Sequence, residues 1–269
     1  STTGATTLSE LEDRSMVSRC ILFWRSSTHY LGGLGIIVLF VVVLGQGAAG
    51  KSMMVVEMPG PSYSSPQSRI QQTAWTLFAL YTGFNLLLTI LLCMMGVPLF
   101  DSICHAFGTM ATGGFSTYNA SVGYFTTNPN LPGTLIEMTI TLFMVIAGTN
   151  FMLMYASAIS GPSVFFKDVE WRVYIMIILI STIAILTTGM LHHDFDEYGT
   201  SDTSVYAGAE HPISSAEHFG LAVRYSLFQV VSIMTNTGFG TANFDQWCGF
   251  SRATLLVLMF IGGCAGSTS

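Results

Sequence analysis

Long apolar runs alternate with short polar stretches along the whole chain. The runs 31–49, 73–99 and 173–191 carry no charged residue. The run 135–160 has one acid near its start, and 253–261 is a shorter apolar run. Because about 20 apolar residues in a helix cross the hydrocarbon core of a bilayer, this pattern predicts an all-α integral membrane protein.

Two further apolar stretches, 99–110 and 216–234, each lead into a glycine-containing loop. We interpret both as half-span helices. The first would be roughly 16 Å long at ~1.5 Å per residue, about half of a ~30 Å hydrocarbon core. Membranes tolerate irregular backbone at mid-depth only where it is buried in protein or lines a water-filled path. The pattern therefore predicts pore loops at 111–117 and 235–241.

The glycine-centred loop occurs three times. Aligning Gly4, Gly114 and Gly238 gives spacings of 110 and 124 residues, and such repetition indicates a repeat architecture. Backbone that turns successive carbonyls inward passes through positive φ, which glycine adopts cheaply. Carbonyl and hydroxyl oxygens can then replace the water around a cation. We expect Phe115 and Phe239 to pack behind the loops. The predicted ion-selectivity filter consists of Thr2, Thr3, Gly4, Thr112, Gly113, Gly114, Asn236, Thr237 and Gly238.

A cluster of small residues follows each loop in the next apolar run. At 32–35 and 147–149 we expect these residues to let helices pack closely, and we expect Asn150 to form a helix-to-helix hydrogen bond. The third cluster is denser and more polar, which favours an intramembrane gate below the filter. A frayed helix end or a linker is the alternative. The predicted gate consists of Gly262, Gly263, Cys264, Ala265, Gly266, Ser267 and Thr268.

The repeats divide the chain into five parts, truncated at both ends. They are the end of repeat 1 (1–50), a cytoplasmic linker (51–72), repeat 2 (73–160), a second cytoplasmic linker (161–172) and repeat 3, truncated in its second helix (173–269). We expect the polar stretch 8–25 to rise from the first loop to the outer face.

Basic residues set the predicted orientation. The two linkers hold Lys51, Arg69, Lys167 and Arg172, whereas the loops 118–132 and 192–215 hold no Lys or Arg. Positive-inside counting therefore places the linkers in the cytoplasm and the filter toward the outside. Arg14, Arg19 and Arg25 run against this count.

Composition excludes several classes of protein. Hydrophobic residues make up 51% of the chain and charged residues 9%, against about 25% charged in a typical soluble domain, and the mean hydropathy is +0.57. The net charge of −6 gives no reason to expect nucleic acid. Five cysteines without C-x-x-C pairs argue against a disulfide framework or a zinc site.

Charged residues in or beside the apolar runs have competing interpretations. Asp101, Glu137 and Glu217 lie near helix starts, where an acid favours the N-terminus, although they could also attract cations. Arg224 is a functional candidate inside the membrane, and pairing with a nearby acid explains it equally well. The His192-His193-Asp194 string could bind a metal in an intramembrane enzyme, but a solvated loop is the simpler interpretation.

Several strings resemble one known group. They are His105–Phe107 with Ala111–Thr117, the Arg224–Ser232 string RYSLFQVVS, Phe23–Ser26, Gly32–Ile36, and the Gly262–Thr268 string. Together they resemble the Trk/Ktr/HKT superfamily of potassium transporters, and within it the bacterial TrkH/TrkG membrane subunits. The resemblance covers essentially the whole chain.

The resemblance implies a multi-pass protein of the bacterial inner membrane, with four helix–pore loop–helix repeats around one pseudo-fourfold K⁺ pathway. It also implies a homodimer, a cytoplasmic nucleotide-binding regulatory ring as partner, and no covalent cofactor or catalysis. The first outer helix and the whole fourth repeat are absent here, so three loops alone should not conduct. The alternative is a Na⁺-permeable or Na⁺-coupled member; the family associates Ser at the first filter glycine with Na⁺, and Gly4 favours K⁺.

Overall fold

The chain folds into helices joined by short irregular segments. The computed structural model describes residues 11–12, 17–52, 66–161, 163–195 and 215–268. No β-strand occurs among these residues, as expected for an all-α protein. The helices are α1 (Arg19–Ser52), α2 (Pro66–Met94), α3 (Leu99–Met110), α4 (Gly123–Thr127), α5 (Gly133–Ala147), α6 (Phe151–Ser160), α7 (Ser163–Lys167), α8 (Val169–His192), α9 (Ser215–Met234) and α10 (Gly249–Ile261), with one 3₁₀ turn at Phe244–Gln246.

Two described helices are long and apolar enough to cross a membrane, Ala74–Met94 within α2 and Val169–His192, which is α8. The ends of α8 follow from its sequence. The carboxylate of Asp168 accepts the backbone N–H of Trp171 at 2.8 Å, which satisfies a free donor at the helix start. His193 adopts the left-handed conformation that closes the last turn.

The polar stretches are more helical than predicted. Helix α1 begins at Arg19, inside the stretch 8–25 that we expect to rise to the outer face. It continues to Ser52, and α2 starts at Pro66, so helix occupies both ends of the predicted linker 51–72. Proline suits the first turn of a helix because its missing N–H needs no partner there. Residues 53–65 lie outside the described part of the chain.

The predicted continuous span 135–160 is wrong. Helix α5 ends at Ala147 and α6 starts at Phe151, and the two axes differ by 96°. The prediction for Asn150 is wrong for the same reason. Its side-chain oxygen accepts the backbone N–H groups of Met152 and Leu153 at 2.8 and 3.4 Å, so it caps α6 and does not join two helices.

The half-span prediction holds for α3 and not for α9. With 12 residues, α3 is roughly 18 Å long, whereas the 20 residues of α9 give about 30 Å. The predicted stretch 216–234 already has 19 residues and α9 adds only Ser215 to it, so its length alone is too great for a half-span helix.

The two helices that lead into the loops lie at the centre of the bundle. Helix α3 packs on α1, α2 and α5, while α9 packs on α5, α8 and α10. The outward faces of the surrounding helices carry large apolar side chains, such as Leu86, Ile183 and Phe260, which are 61%, 58% and 84% exposed. A soluble protein rarely exposes such surface, so these faces suit lipid. The surrounding helices thereby enclose the glycine loops.

Candidate functional site

The loops 111–117 and 235–241 have the same backbone conformation. Thr112 and Asn236 have φ of 49° and 53°, and Gly114 and Gly238, each two residues later, have φ of 73° and 78°. Glycine adopts positive φ without a steric penalty, which confirms the reason for predicting glycine at these two positions. The repeat read from the sequence is therefore a repeat in structure for these two copies.

The same hydrogen bonds form in both loops, 124 residues apart. The carbonyl of Gly108 accepts the N–H groups of Gly113 and Gly114 at 2.8 and 3.3 Å. The carbonyl of Ser232 accepts those of Thr237 and Gly238 at 2.9 and 3.2 Å. In each case the last turn of the preceding helix folds the loop back onto itself. Loop and helix thus form one unit, so α3 and α9 fix where the loops lie.

The two loops touch each other through their backbones. A Cβ atom on Gly114 would overlap the carbonyl oxygen of Thr237 and would lie 3.2 Å from the carbonyl carbon of Gly238. Glycine is therefore required at 114 for a second reason, the close approach of the neighbouring loop. A Cβ atom on Gly238 would meet nothing within 4 Å in the described structure. Gly114 and Gly238 consequently sit side by side, as two parts of one site require.

The aromatic residues after the glycines differ in their surroundings. Phe239 is buried and lies 6.0 Å from the His105 ring, centroid to centroid, so it packs against α3, the helix that leads into the other loop. Phe115 is half-buried and stacks on His29 of α1 at 3.9 Å, with the Arg25 guanidinium 4.2 Å from its ring centre. Neither contact is predictable from the sequence, because nothing local in a helix signals which loop it faces.

Polar side chains of α3 hold the end of the 111–117 loop. His105 is fully buried, with one ring nitrogen 3.0 Å from the Ser116 hydroxyl. The Asp101 carboxylate accepts the hydroxyls of Thr117 and Tyr118 at 2.7 and 3.1 Å. Burial, and then the Asp101 charge, raise the pKa of the Tyr118 hydroxyl, so it stays a donor. Asp101 thus braces the loop besides lying in the first turn of α3.

Residues 262–268, the predicted gate, form an irregular segment directly after α10. Gly262 has φ of 71° and ends the helix. The N–H of Cys264 donates to the carbonyl of Gly148 at 2.9 Å, and the carbonyl of Gly266 accepts the N–H of Phe151 at 3.2 Å. The segment is therefore paired with the break between α5 and α6. These hydrogen bonds contradict the alternative of a frayed helix end.

The far end of this 262–268 segment reaches the 111–117 loop. Thr268 is fully buried, and its hydroxyl lies 2.9 Å from the carbonyl of Met110 and 3.1 Å from that of Ala147. In return, the Thr112 hydroxyl donates to the carbonyl of Thr268 at 2.9 Å. At the near end, Glu170 of α8 accepts the N–H of Ala265 at 2.6 Å.

Close helix packing at the small clusters is confirmed at two glycines. A Cβ atom on Gly33 would lie 2.7 Å from the Tyr81 hydroxyl and 3.1 Å from Cα of Ala111. A Cβ atom on Gly148 would lie 2.9 Å from Cγ2 of Thr235. Gly33 therefore lets α1 approach α2 and the start of the 111–117 loop. Gly148 lets the end of α5 approach Thr235, the first residue of the 235–241 loop.

Glu137 and Arg224 form a buried ion pair between α5 and α9. The Arg224 Nε atom lies 3.1 Å from a Glu137 carboxylate oxygen, and both side chains are under 9% exposed. Arg224 also donates to the hydroxyls of Thr134 and Tyr225. Glu137 lies beyond the first turn of α5, so its predicted capping role is wrong. For Arg224, the structure selects pairing with an acid.

Two site predictions remain, the first segment of the filter and the metal site. Thr2, Thr3 and Gly4 lie outside the described residues. The described residues include no group of three or more potential metal ligands, and the Asp194 carboxylate accepts the N–H of Cys248 at 3.0 Å. That contact gives Asp194 a structural role.

Comparison with known proteins gives the family. The sequence model of one family, described as "TrkH: Cation transport protein", matches residues 1–269. The chain is 37% identical to a "Trk system potassium uptake protein TrkH" from Salmonella typhimurium, with 99% of this chain and 50% of that protein covered. It is 32% identical to a "Trk system potassium uptake protein TrkG" from Escherichia coli, with 99% and 49% covered.

A solved structure agrees with these relatives. The crystal structure of the potassium transporter TrkH from Vibrio parahaemolyticus superposes with a TM-score of 0.75 at 33% identity, covering 100% of this chain and 48% of that one. The chain spans about half the length of the relatives it matches. Since the family match covers every residue, the chain belongs to the TrkH family of cation transport proteins and is a multi-pass membrane protein.

Proposed function

We propose that this chain forms part of a K⁺ uptake pathway, with the loops 111–117 and 235–241 as adjacent sides of its ion-selectivity filter. The observation that carries this proposal is the contact between Gly114 and the backbone of Thr237 and Gly238, in two loops of one conformation. The names of the matched relatives, potassium uptake proteins and a potassium transporter, supply the ion.

The charge at the site favours a cation. Helices α3 and α9 both end where the loops begin, so the negative ends of their dipoles lie beside the site. Carbonyl oxygens there can replace the hydration shell of K⁺. Thr2, Thr3 and Gly4 would supply a third side, and the implied fourfold arrangement needs one more loop.

The rest of the proposal extends to the gate and the partners. Residues 262–268 act as the intramembrane gate, supported by their irregular path after α10, which ends at the buried Thr268 beside Met110 and the 111–117 loop. The complete protein would be a homodimer in the bacterial inner membrane with a nucleotide-binding regulatory ring, which the family resemblance implies. The relatives' names, which place them in a Trk system, support the existence of other components.

The test is Gly114→Ser in the full-length transporter, with uptake of K⁺ and Na⁺ measured separately. Ser would have to adopt φ near 73° and would press on Thr237. We expect the preference for K⁺ over Na⁺ to fall at least about tenfold, equivalent to ~1.4 kcal/mol.

Two further glycine variants separate the causes. Gly238→Ser has the unfavourable φ without the overlap, so it should lower selectivity less. Gly83→Ser in α2 has neither and should leave selectivity unchanged. Unchanged selectivity in Gly114→Ser would remove the filter proposal, and a wild-type protein that carries Na⁺ as fast as K⁺ would favour the Na⁺-permeable alternative.

A further inference from the structure

The two loops carry different residues at a position where their shared backbone conformation is energetically unfavourable for most side chains. The residue at positive φ is Thr112 in one loop and Asn236 in the other. Asn is among the residues that adopt the left-handed region most readily, whereas a β-branched residue there is an outlier. A strained residue of this kind persists only where its surroundings enforce it.

The surroundings that enforce Thr112 belong to the 262–268 segment. The Thr112 hydroxyl oxygen lies 2.8 Å from the carbonyl oxygen of its neighbour Ala111 and 2.9 Å from that of Thr268, and the two acceptors share its one proton. The Thr268 hydroxyl bonds back to the Met110 carbonyl, two residues before Thr112. Thr112 and Thr268 are 2% and 0% exposed. Two reciprocal threonine contacts therefore clamp the start of the 111–117 loop.

The 235–241 loop has no such clamp within the described structure. Asn236 is exposed, and within the described residues its side chain has no hydrogen bond to Thr268 like that of Thr112. Its closest approach is a Cβ atom built on Gly262, 3.6 Å from the Asn236 amide nitrogen. The segment thus touches both loops and supports the backbone of only one.

We propose that Thr112 and Thr268 couple the 262–268 segment to the ion-selectivity filter, and that this coupling acts on the 111–117 loop alone. When the segment leaves its position, Thr112 loses the bond that holds it at positive φ, and this loop relaxes while the 235–241 loop keeps its shape. This inference rests on the proposed function, which assigns the filter and the gate. The contacts between Thr112 and Thr268 are observed independently of that assignment.

The experiment is a double-mutant cycle of Thr268→Val and Thr112→Asn in the full-length protein, read by backbone hydrogen exchange of 111–115 and 235–239. Thr268→Val keeps the shape of the side chain and removes its two hydrogen bonds. We expect exchange in 111–115 to accelerate roughly fivefold and exchange in 235–239 to stay the same.

Thr112→Asn gives this loop the residue that the other loop carries. In that background we expect Thr268→Val to change the exchange of 111–115 less than twofold, since Asn needs no clamp. Equal acceleration in both backgrounds would mean independent structural effects and would overturn the proposal. So would equal acceleration of both loops.

Thr254→Val is the matched control. It also removes a threonine hydroxyl bond, to Phe250 within α10, far from either loop in sequence, and should leave both exchange rates unchanged. K⁺ uptake is measured in parallel on the same variants, with Thr268→Val expected to lower the preference for K⁺ over Na⁺. A wild-type protein without K⁺ uptake would contradict the proposed function, whereas exchange alone decides the coupling.

Discussion

At the scale of single residues, backbone conformation separates the glycines that the site requires from those it does not. Gly114 combines positive φ with contact to the next loop, while Gly83 has an ordinary φ and free space around it. The sequence predicted the positive φ of Gly114 and Gly238 correctly, because glycine adopts this conformation without a steric penalty. It could not predict that Thr112 would share this conformation, since threonine rarely does.

The buried pair Glu137 and Arg224 gives a prediction at this scale. Glu137→Gln leaves the Arg224 charge in a site that is 7% exposed, and breaking a buried ion pair costs about 3–5 kcal/mol. We expect a clear drop in the thermal unfolding midpoint of the purified protein. The double variant Glu137→Gln with Arg224→Gln should recover part of that loss, because it removes the guanidinium together with the carboxylate that it pairs with.

Glu217→Gln serves as the control for this pair, since it changes an exposed acid on the same helix as Arg224. It should shift the midpoint little, as exposed charges contribute about 0–1 kcal/mol. If the single variant Glu137→Gln melted like the wild type, the ion pair would not stabilise the bundle.

At the scale of helices, apolar runs predicted where helices lie and not where they break. The run 135–160 holds a single charged residue, Glu137, and is apolar on average, so hydropathy alone could not reveal the 96° bend. The signal was local. Gly148 and Thr149 weaken the helix, and Asn150 offers an N-cap. We assigned Asn150 to helix pairing because polar residues within membrane helices often form such bonds.

The cap at Asn150 gives a prediction for the elements around it. Asn150→Ala removes two hydrogen bonds at the start of α6 and should cost about 1 kcal/mol, whereas Asn150→Asp or Asn150→Ser keeps an acceptor and should cost less. Because Phe151 donates to Gly266, exchange of amides 264–267 should accelerate only in Asn150→Ala. Equal exchange in all three variants would show that the cap does not support the segment.

At the scale of the whole molecule, internal repetition was the most informative feature of the sequence. Two copies that look alike in sequence share φ angles and hydrogen bonds 124 residues apart, because a local sequence fixes a local turn. Contacts between repeats were not predictable in this way. The hydrogen bonds that join Thr268 to Met110 and Ala147 depend on how separate helices pack, and no spacing along the chain encodes that.

Orientation in the membrane is the last prediction, and it also belongs to the whole molecule. Lys167 and Arg172 flank the start of α8, whereas the loop 118–132 has no basic residue, so positive-inside counting puts Lys167 in the cytoplasm. In intact cells, a membrane-impermeant thiol reagent should label Asn130→Cys and should not label Lys167→Cys, both positions being exposed.

A Cys20→Ser background removes the exposed native thiol, and the same background without an introduced cysteine corrects for the four that are partly or fully buried. After the cells are opened, Lys167→Cys should label as well as Asn130→Cys. The opposite labelling pattern in intact cells would show that the protein has the reverse orientation in the membrane. Arg25 is half-buried, with its guanidinium 4.2 Å from the Phe115 ring centre, so a packing contact accounts for one of the three arginines that oppose the assignment.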